Sequence, residues 1–159
     1  MKRFLLFSIA LILVSCSSDT DSPIDCCTVI DTGVDIMYVN EDGENLLEGE
    51  NPINISNITV YHKIGSEWTR YFKANLDYPK GLMPIEINNE KYLRIFVSTE
   101  VVQDQISETE LVFSENDEDL IKTELNLSAN YTIVKKVWYN NDLKWETESN
   151  TNRQFVIVK

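Results

Sequence analysis

The chain has 159 residues, of which 43% are hydrophobic, and a formal net charge of −12. A chain of this length can fold as one domain with its own hydrophobic core. A protein this acidic repels phosphate backbones, so we expect no nucleic-acid partner.

The chain begins with a basic residue pair and a short apolar run. Lys2 and Arg3 precede residues 4–14, which are almost wholly apolar. This run is about half the roughly 20 residues that a membrane-spanning helix needs. It therefore predicts a signal peptide over residues 1–15 rather than a transmembrane anchor.

The apolar run ends in the tetrapeptide Leu13-Val14-Ser15-Cys16. An apolar pair, a small residue and a cysteine in this order resemble the lipobox of bacterial lipoproteins. The resemblance implies cleavage before Cys16, a diacylglycerol on its sulfur and a fatty acid on the new amino group. Each buried acyl CH₂ adds about 0.8 kcal/mol of membrane affinity, so several chains together would make the anchoring effectively permanent. The alternative is an ordinary secretory signal cut near Ser15, with an incidental cysteine after it.

A polar segment follows Cys16. Residues 17–23 are Ser, Asp, Thr and Pro only. Because such residues cannot bury apolar area, we expect residues 16–27 to form a flexible tether. A Ser/Asp-rich segment after a lipidated cysteine is similar to the export signals of surface lipoproteins in the Bacteroidota, although here the acids are separated. We therefore expect a lipid-anchored protein of the outer membrane, on either its surface or its periplasmic face.

Two further cysteines, Cys26 and Cys27, are adjacent in the sequence. An envelope location permits disulfides, but adjacent residues can bridge only through a strained ring. Two free thiols, bonds to another chain and a vicinal disulfide all remain open. The chain has no CxxC motif and a single histidine, so we expect no metal site at this pair and no cofactor.

From Thr28 onward the apolar residues recur with a period of two, which is typical of β-strands. Turns are predicted at Gly65-Ser66, Asn88-Asn89 and residues 140–142, because Gly, Asn and Asp tolerate positive φ. Pro84 indicates an edge strand. The predicted strands lie near residues 34–38, 58–64, 67–72, 82–87, 92–97, 108–113, 120–125, 133–139, 143–145 and 155–158.

About nine short strands, with no convincing helical face, predict an all-β domain over residues 28–159. The expected architecture is a sandwich of two antiparallel sheets, immunoglobulin-like or transthyretin-like. A small closed barrel is the alternative.

A second resemblance covers most of this domain. Residues 34–47, the strand segment 58–61 and residues 136–141 look like corresponding segments of small Bacteroidota lipoproteins of unknown function. The resemblance implies a β-sandwich lipoprotein with no known activity. It supplies no site residue beyond Cys16.

Catalytic motifs are not apparent in the sequence. A Ser/His/Asp hydrolase needs a positioned base, and His62 is the only candidate; it alternates with Val60 and Ile64, which favours a packed sheet residue. No Gly-x-Ser-x-Gly elbow or phosphate-binding glycine loop occurs. The acidic runs 115–119 and 40–45 are expected to be solvated turns, with loose Ca²⁺ binding as their alternative. We therefore expect no enzymatic activity.

Aromatic residues are concentrated on two predicted hairpins, where they serve either core packing or ligand binding. Trp138 and Trp145 flank one turn, so we expect them to form a cross-strand pair. The candidate ligand-binding aromatics are Trp68, Tyr71, Trp138 and Trp145.

The leading functional hypothesis is a lipid-anchored envelope protein whose non-enzymatic β-sandwich has a binding or structural role. The lipid on Cys16 would bind the membrane. The identity of any glycan or protein partner is left open by the sequence. The alternative is a carbohydrate- or peptide-binding accessory lipoprotein that uses exposed aromatics. Solvent-facing tryptophans on one sheet would favour glycan binding. Buried tryptophans would leave no reason to propose it.

Overall fold

The computed structural model describes residues 28–149 and 152–159. The predicted signal peptide, the lipidation site Cys16, the tether and both Cys26 and Cys27 lie outside the described residues. The described residues form strands β1–β12 and two short 3-10 turns, Ile55–Asn57 and Thr147–Ser149. The strands are β1 Val29–Asp31, β2 Gly33–Val39, β3 Thr59–Ile64, β4 Glu67–Arg70, β5 Leu82–Ile87, β6 Glu90–Phe96, β7 Val101–Gln103, β8 Ile106–Ser114, β9 Asp117–Leu127, β10 Tyr131–Tyr139, β11 Asp142–Glu146 and β12 Gln154–Val158.

Two sheets make up the fold, so the prediction of an all-β, two-sheet architecture is confirmed. The larger sheet has eight strands in the order β1-β10-β9-β8-β3-β4, with β11 also beside β10 and β7 also beside β8. The smaller sheet has four strands in the order β12-β2-β6-β5. The predicted edge strand that contains Pro84 is β5, at one edge of the smaller sheet.

The structure corrects the predicted strand count and the pairing directions. The described residues form twelve strands instead of about nine: ten of them lie at the strand positions predicted above, and β1 and β7, with three residues each, are too short to show a period. Two pairings are parallel rather than antiparallel, β1 with β10 and β12 with β2. Alternation of apolar residues reports which face of a strand is buried and not the direction of its neighbour, so this feature was not visible in the sequence.

The predicted asparagine turns are confirmed by positive backbone φ angles. Asn88 and Asn89 have φ values of 52° and 66°, and Asn140 and Asn141 have 49° and 73°. Two consecutive residues with positive φ are typical of the tight hairpin turn whose twist matches the flanking strands. These turns fix the register of β5 with β6 and of β10 with β11.

The hydrophobic core lies between the two sheets. The smaller sheet contributes fully buried side chains such as Ile36 and Leu93, and the larger sheet contributes Leu111 and Ile121. Aromatic rings fill one part of the core, where Tyr38 packs edge-on against its neighbours. The contacting rings of this cluster are Tyr38, Phe113, Tyr139 and Phe155.

Near the end of β3 the interior is polar instead. His62 lies opposite Thr109 in the sheet, and both side chains are buried. The hydroxyls of Ser107 and Thr123 are 2.6 Å apart. This hydroxyl-rich interior adjoins the cavity described below.

Candidate functional site

The four candidate aromatics do not share one surface. Trp68 on β4 is 38% exposed, and Trp138 on β10 is partly exposed. Tyr71 stacks on His62 with ring centroids 4.4 Å apart. Trp145 packs against the core. Only Trp68 and Trp138 therefore remain candidates for a shared outer binding surface.

The predicted cross-strand pair of Trp138 and Trp145 is wrong. Trp138 lies opposite Leu143, whereas Trp145 lies opposite Val137, and the register shifts between Val137 and Trp138. Because neighbouring residues of a strand point to opposite faces, Trp145 shares the inward face of Val137. The bulge that separates the two tryptophans left no mark in the sequence.

Trp68 and Trp138 lie at two ends of a single row of side chains across the outer face of the larger sheet. Trp68 is opposite Lys63, the Lys63 ammonium contacts Glu108, and Lys122 is opposite both Glu108 and Trp138. Strands in a sheet are about 4.8 Å apart, so four strand spacings place the two tryptophans roughly 19 Å apart. We call the surface formed by Trp68, Lys63, Glu108, Lys122 and Trp138 the outer-face row.

Charged groups fill the space between the two indoles. Lys63 Nζ lies 2.7 Å from Glu108 Oε2 and 5.5 Å from the centroid of the Trp68 ring. Lys122 Nζ lies 3.2 Å from Asn141 Oδ1. A groove of about 640 Å³ runs over this part of the row, and Gln103 adds an amide to its wall. The surface thus combines ring faces with closely spaced hydrogen-bond donors and acceptors.

A second concave region, which we call the end cavity, lies where β3 and β6 end. It has a volume of about 570 Å³, and the segment that follows β4 contributes Tyr71, Lys73 and Tyr78 to its wall. Gly81 faces the Tyr71 ring so closely that a Cβ there would lie 3.1 Å from it. The remaining lining residues are Ile30, Thr32, His62, Ile64, Leu76, Asp77, Phe96, Val97, Thr99 and Glu100.

His62 is the titratable group at the inner side of the end cavity. It is 9% exposed, and its Nε2 is covered and has no hydrogen-bond partner. Burial, and to a smaller extent the nearby Lys73 ammonium, lower the pKa of His62 to about 4, against the opposing interaction with the Phe96 backbone. The imidazole is therefore neutral at physiological pH.

This environment does not suit hydrolytic chemistry of the Ser/His/Asp type. A general base works best when its pKa lies near the working pH, and the pKa of His62 lies well below it. The described cavity wall offers the hydroxyls of Thr32 and Thr99 but no Ser or Cys. The interpretation of His62 as a packed sheet residue fits its burial.

The two acidic runs serve the protein's own contacts. Asp117 and Asp119 each lie 2.5 Å from the Lys159 ammonium, and Asn140 donates to Asp119. In the other run, Asn40 Oδ1 accepts from the backbone of Glu44. Within the described ranges, no group of three or more His, Cys, Asp or Glu side chains is arranged to hold a metal ion.

No protein-family model, curated protein or solved structure matches this chain.

Across residues 28–149 and 152–159, the structure holds no helix with the length and apolar character needed to cross a membrane.

Proposed function

We propose that this protein is a lipid-anchored component of the bacterial cell envelope whose β-sandwich has a non-enzymatic binding role. The lipobox resemblance at Cys16 supports the anchor, because several acyl chains hold a protein at a membrane. The outer-face row supports the binding role. It is the single observation on which the choice of binding over a purely structural role depends.

A glycan chain is the ligand that the outer-face row favours. Indole rings are large and amphipathic, and the apolar face of a sugar ring can stack on them. Between Trp68 and Trp138, the ammonium, carboxylate and amide groups can bond to sugar hydroxyls. A peptide that adds a strand would need a free sheet edge, whereas this row crosses the face of the sheet.

Affinity electrophoresis of the purified protein through gels that contain dextran, xylan, mannan or pectin tests this proposal. We expect at least one polysaccharide to retard the protein. Trp68→Ala and Trp138→Ala should each weaken that binding about tenfold, because truncation of an aromatic side chain that anchors a ligand commonly costs more than 1 kcal/mol.

Phe72→Ala provides the matched control. Phe72 is 56% exposed and lies outside the outer-face row, so its removal should leave the retardation unchanged. The glycan proposal fails if no polysaccharide retards the protein, or if the double variant of Trp68 and Trp138 is retarded as strongly as the unmodified protein.

A further inference from the structure

The walls of the end cavity provide a mostly apolar enclosure with a few polar groups. Its volume of about 570 Å³ falls within the range of roughly 300–1,000 Å³ that is common for small-molecule sites. Ile64, Phe96 and Val97 supply aliphatic and aromatic surface. Such a wall favours a ligand with a compact apolar body.

Lys73 supplies a positive charge that takes part in none of the salt bridges among the described residues. Its ammonium lies 5.6 Å from the centroid of the Tyr71 ring. The salt bridges among the described residues involve other lysines and arginines, although Asp77 and Glu100 also line the cavity. An ammonium over an aromatic ring, without a paired carboxylate, is suited to an anionic group on a ligand.

His62 supplies a buried ring nitrogen that has no hydrogen-bond partner among the described residues. A neutral imidazole has one N–H donor and one acceptor nitrogen, and the buried Nε2 of His62 has no hydrogen-bond partner among the described residues. A buried polar atom without a partner is costly, and a ligand hydroxyl, which can donate or accept, would relieve this cost by bonding to Nε2. Tyr71 lies just beyond the end of β4 and stacks on the imidazole, and a shift of its ring would give the hydroxyl access.

We propose that the end cavity is a binding site, separate from the outer-face row, for a small hydroxylated carboxylic acid with an apolar body. The carboxylate pairs with Lys73, the hydroxyl bonds to Nε2 of His62, and the apolar body packs against the cavity wall. This inference does not depend on the glycan proposal or on the lipid anchor.

Three probes separate these contacts in NMR titrations of the full-length chain. The probe 4-hydroxyphenylacetate carries both groups, phenylacetate lacks the hydroxyl, and 2-(4-hydroxyphenyl)ethanol lacks the carboxylate. We expect 4-hydroxyphenylacetate to shift the amide signals of the lining residues saturably at millimolar concentrations. Each of the other two probes should bind about tenfold more weakly, which corresponds to the loss of one charge-assisted or buried hydrogen bond.

Two variants then assign the contacts to residues. Lys73→Met should lower the affinity for 4-hydroxyphenylacetate about tenfold but leave the binding of 2-(4-hydroxyphenyl)ethanol unchanged. His62→Phe should lower the affinity for 4-hydroxyphenylacetate by a similar factor but leave the binding of phenylacetate unchanged. Lys91→Met, which alters an exposed lysine on β6 outside the cavity, should bind every probe as the unmodified protein does.

The proposal is overturned if no probe saturates, if all three bind the unmodified protein equally, or if Lys73→Met binds them as the unmodified protein does. Because the probe series on the unmodified protein already tests the hydroxyl contact, the result stands even if His62→Phe does not fold.

Discussion

The imidazole of His62 is buried at the end of β3 between Tyr71 and the hydroxyl-rich interior. In the unfolded chain its pKa would be near the ordinary value of 6.5, whereas burial and Lys73 lower the pKa to about 4 in the folded protein. The unfolded state therefore binds a proton at a higher pH than the folded state does. The stability that depends on neutral His62 is fully present above about pH 6.5 and is lost as the pH falls to about 4.

We expect the free energy of unfolding to fall by roughly 3 kcal/mol between pH 7 and pH 4 because of this one group. Urea denaturation at half-unit pH intervals measures the change. The chain has a single histidine, so His62→Phe should remove this part of the pH dependence whatever its effect on stability at pH 7. Equal pH slopes for the variant and the unmodified protein would show that His62 is not buried as described.

Carboxylates respond in a different pH range. The pKa of Asp31 is lowered mainly by its hydrogen bond with Arg153. For Asp119, burial raises the pKa, but hydrogen bonds from Lys159 and other groups outweigh it and the pKa is lowered. The stability that these groups contribute is present above their ordinary pKa of 3.8 and is lost only as the pH falls below it. The stability lost when these carboxylates are protonated is therefore lost at a lower pH than the stability lost when His62 is protonated.

At the scale of elements, Arg153 connects parts of both sheets. Its Nη1 donates to the Gly33 carbonyl at 2.6 Å, at the start of β2 in the smaller sheet. Its guanidinium also bonds both carboxylate oxygens of Asp31, at the end of β1 in the larger sheet. The same group lies 5.1 Å from the ring of Trp145 on β11. One side chain thus contacts β1, β2 and β11 just before β12 begins.

Arg153→Met should lower the free energy of unfolding by about 1–3 kcal/mol, because it removes charge-assisted hydrogen bonds at a half-buried position. It should also return the pKa of Asp31 towards its ordinary range. Urea denaturation measures the first effect, and NMR titration of the Asp31 carboxyl measures the second. Arg70→Met, at an exposed position on β4, is the control and should change neither; an Arg153→Met protein as stable as the control would contradict this role.

The elements themselves were largely predictable from the sequence, whereas for the candidate sites the sequence indicated single residues such as Trp68, Trp138 and Tyr71 but not how they are grouped. Alternation located most strands, and asparagine pairs located two hairpin turns. The outer-face row depends on register between strands that are distant in sequence, such as Lys63 beside Glu108, and alternation within a strand does not encode this. The end cavity depends on the segment after β4. Apolar and polar residues do not alternate in this segment, so the sequence does not predict where Lys73 lies.

At the scale of the whole molecule, the proposed lipid on Cys16 would attach the β-sandwich to a membrane. Thr28 lies twelve positions beyond Cys16, and twelve fully extended residue steps reach at most about 40 Å. A ligand bound at the outer-face row would therefore be held close to the membrane. Without the anchor, the same domain would diffuse away from the cell after secretion.

Intact mass spectrometry of the protein isolated from its own membranes tests the anchor most directly. We predict a mature chain that begins at Cys16 and carries the mass of a diacylglycerol and an amide-linked fatty acid, and a Cys16→Ala protein that retains residues 1–15 and gains no lipid. A mature chain with an unmodified amino terminus, or one in which Cys16 carries no fatty acid, would contradict the central claim.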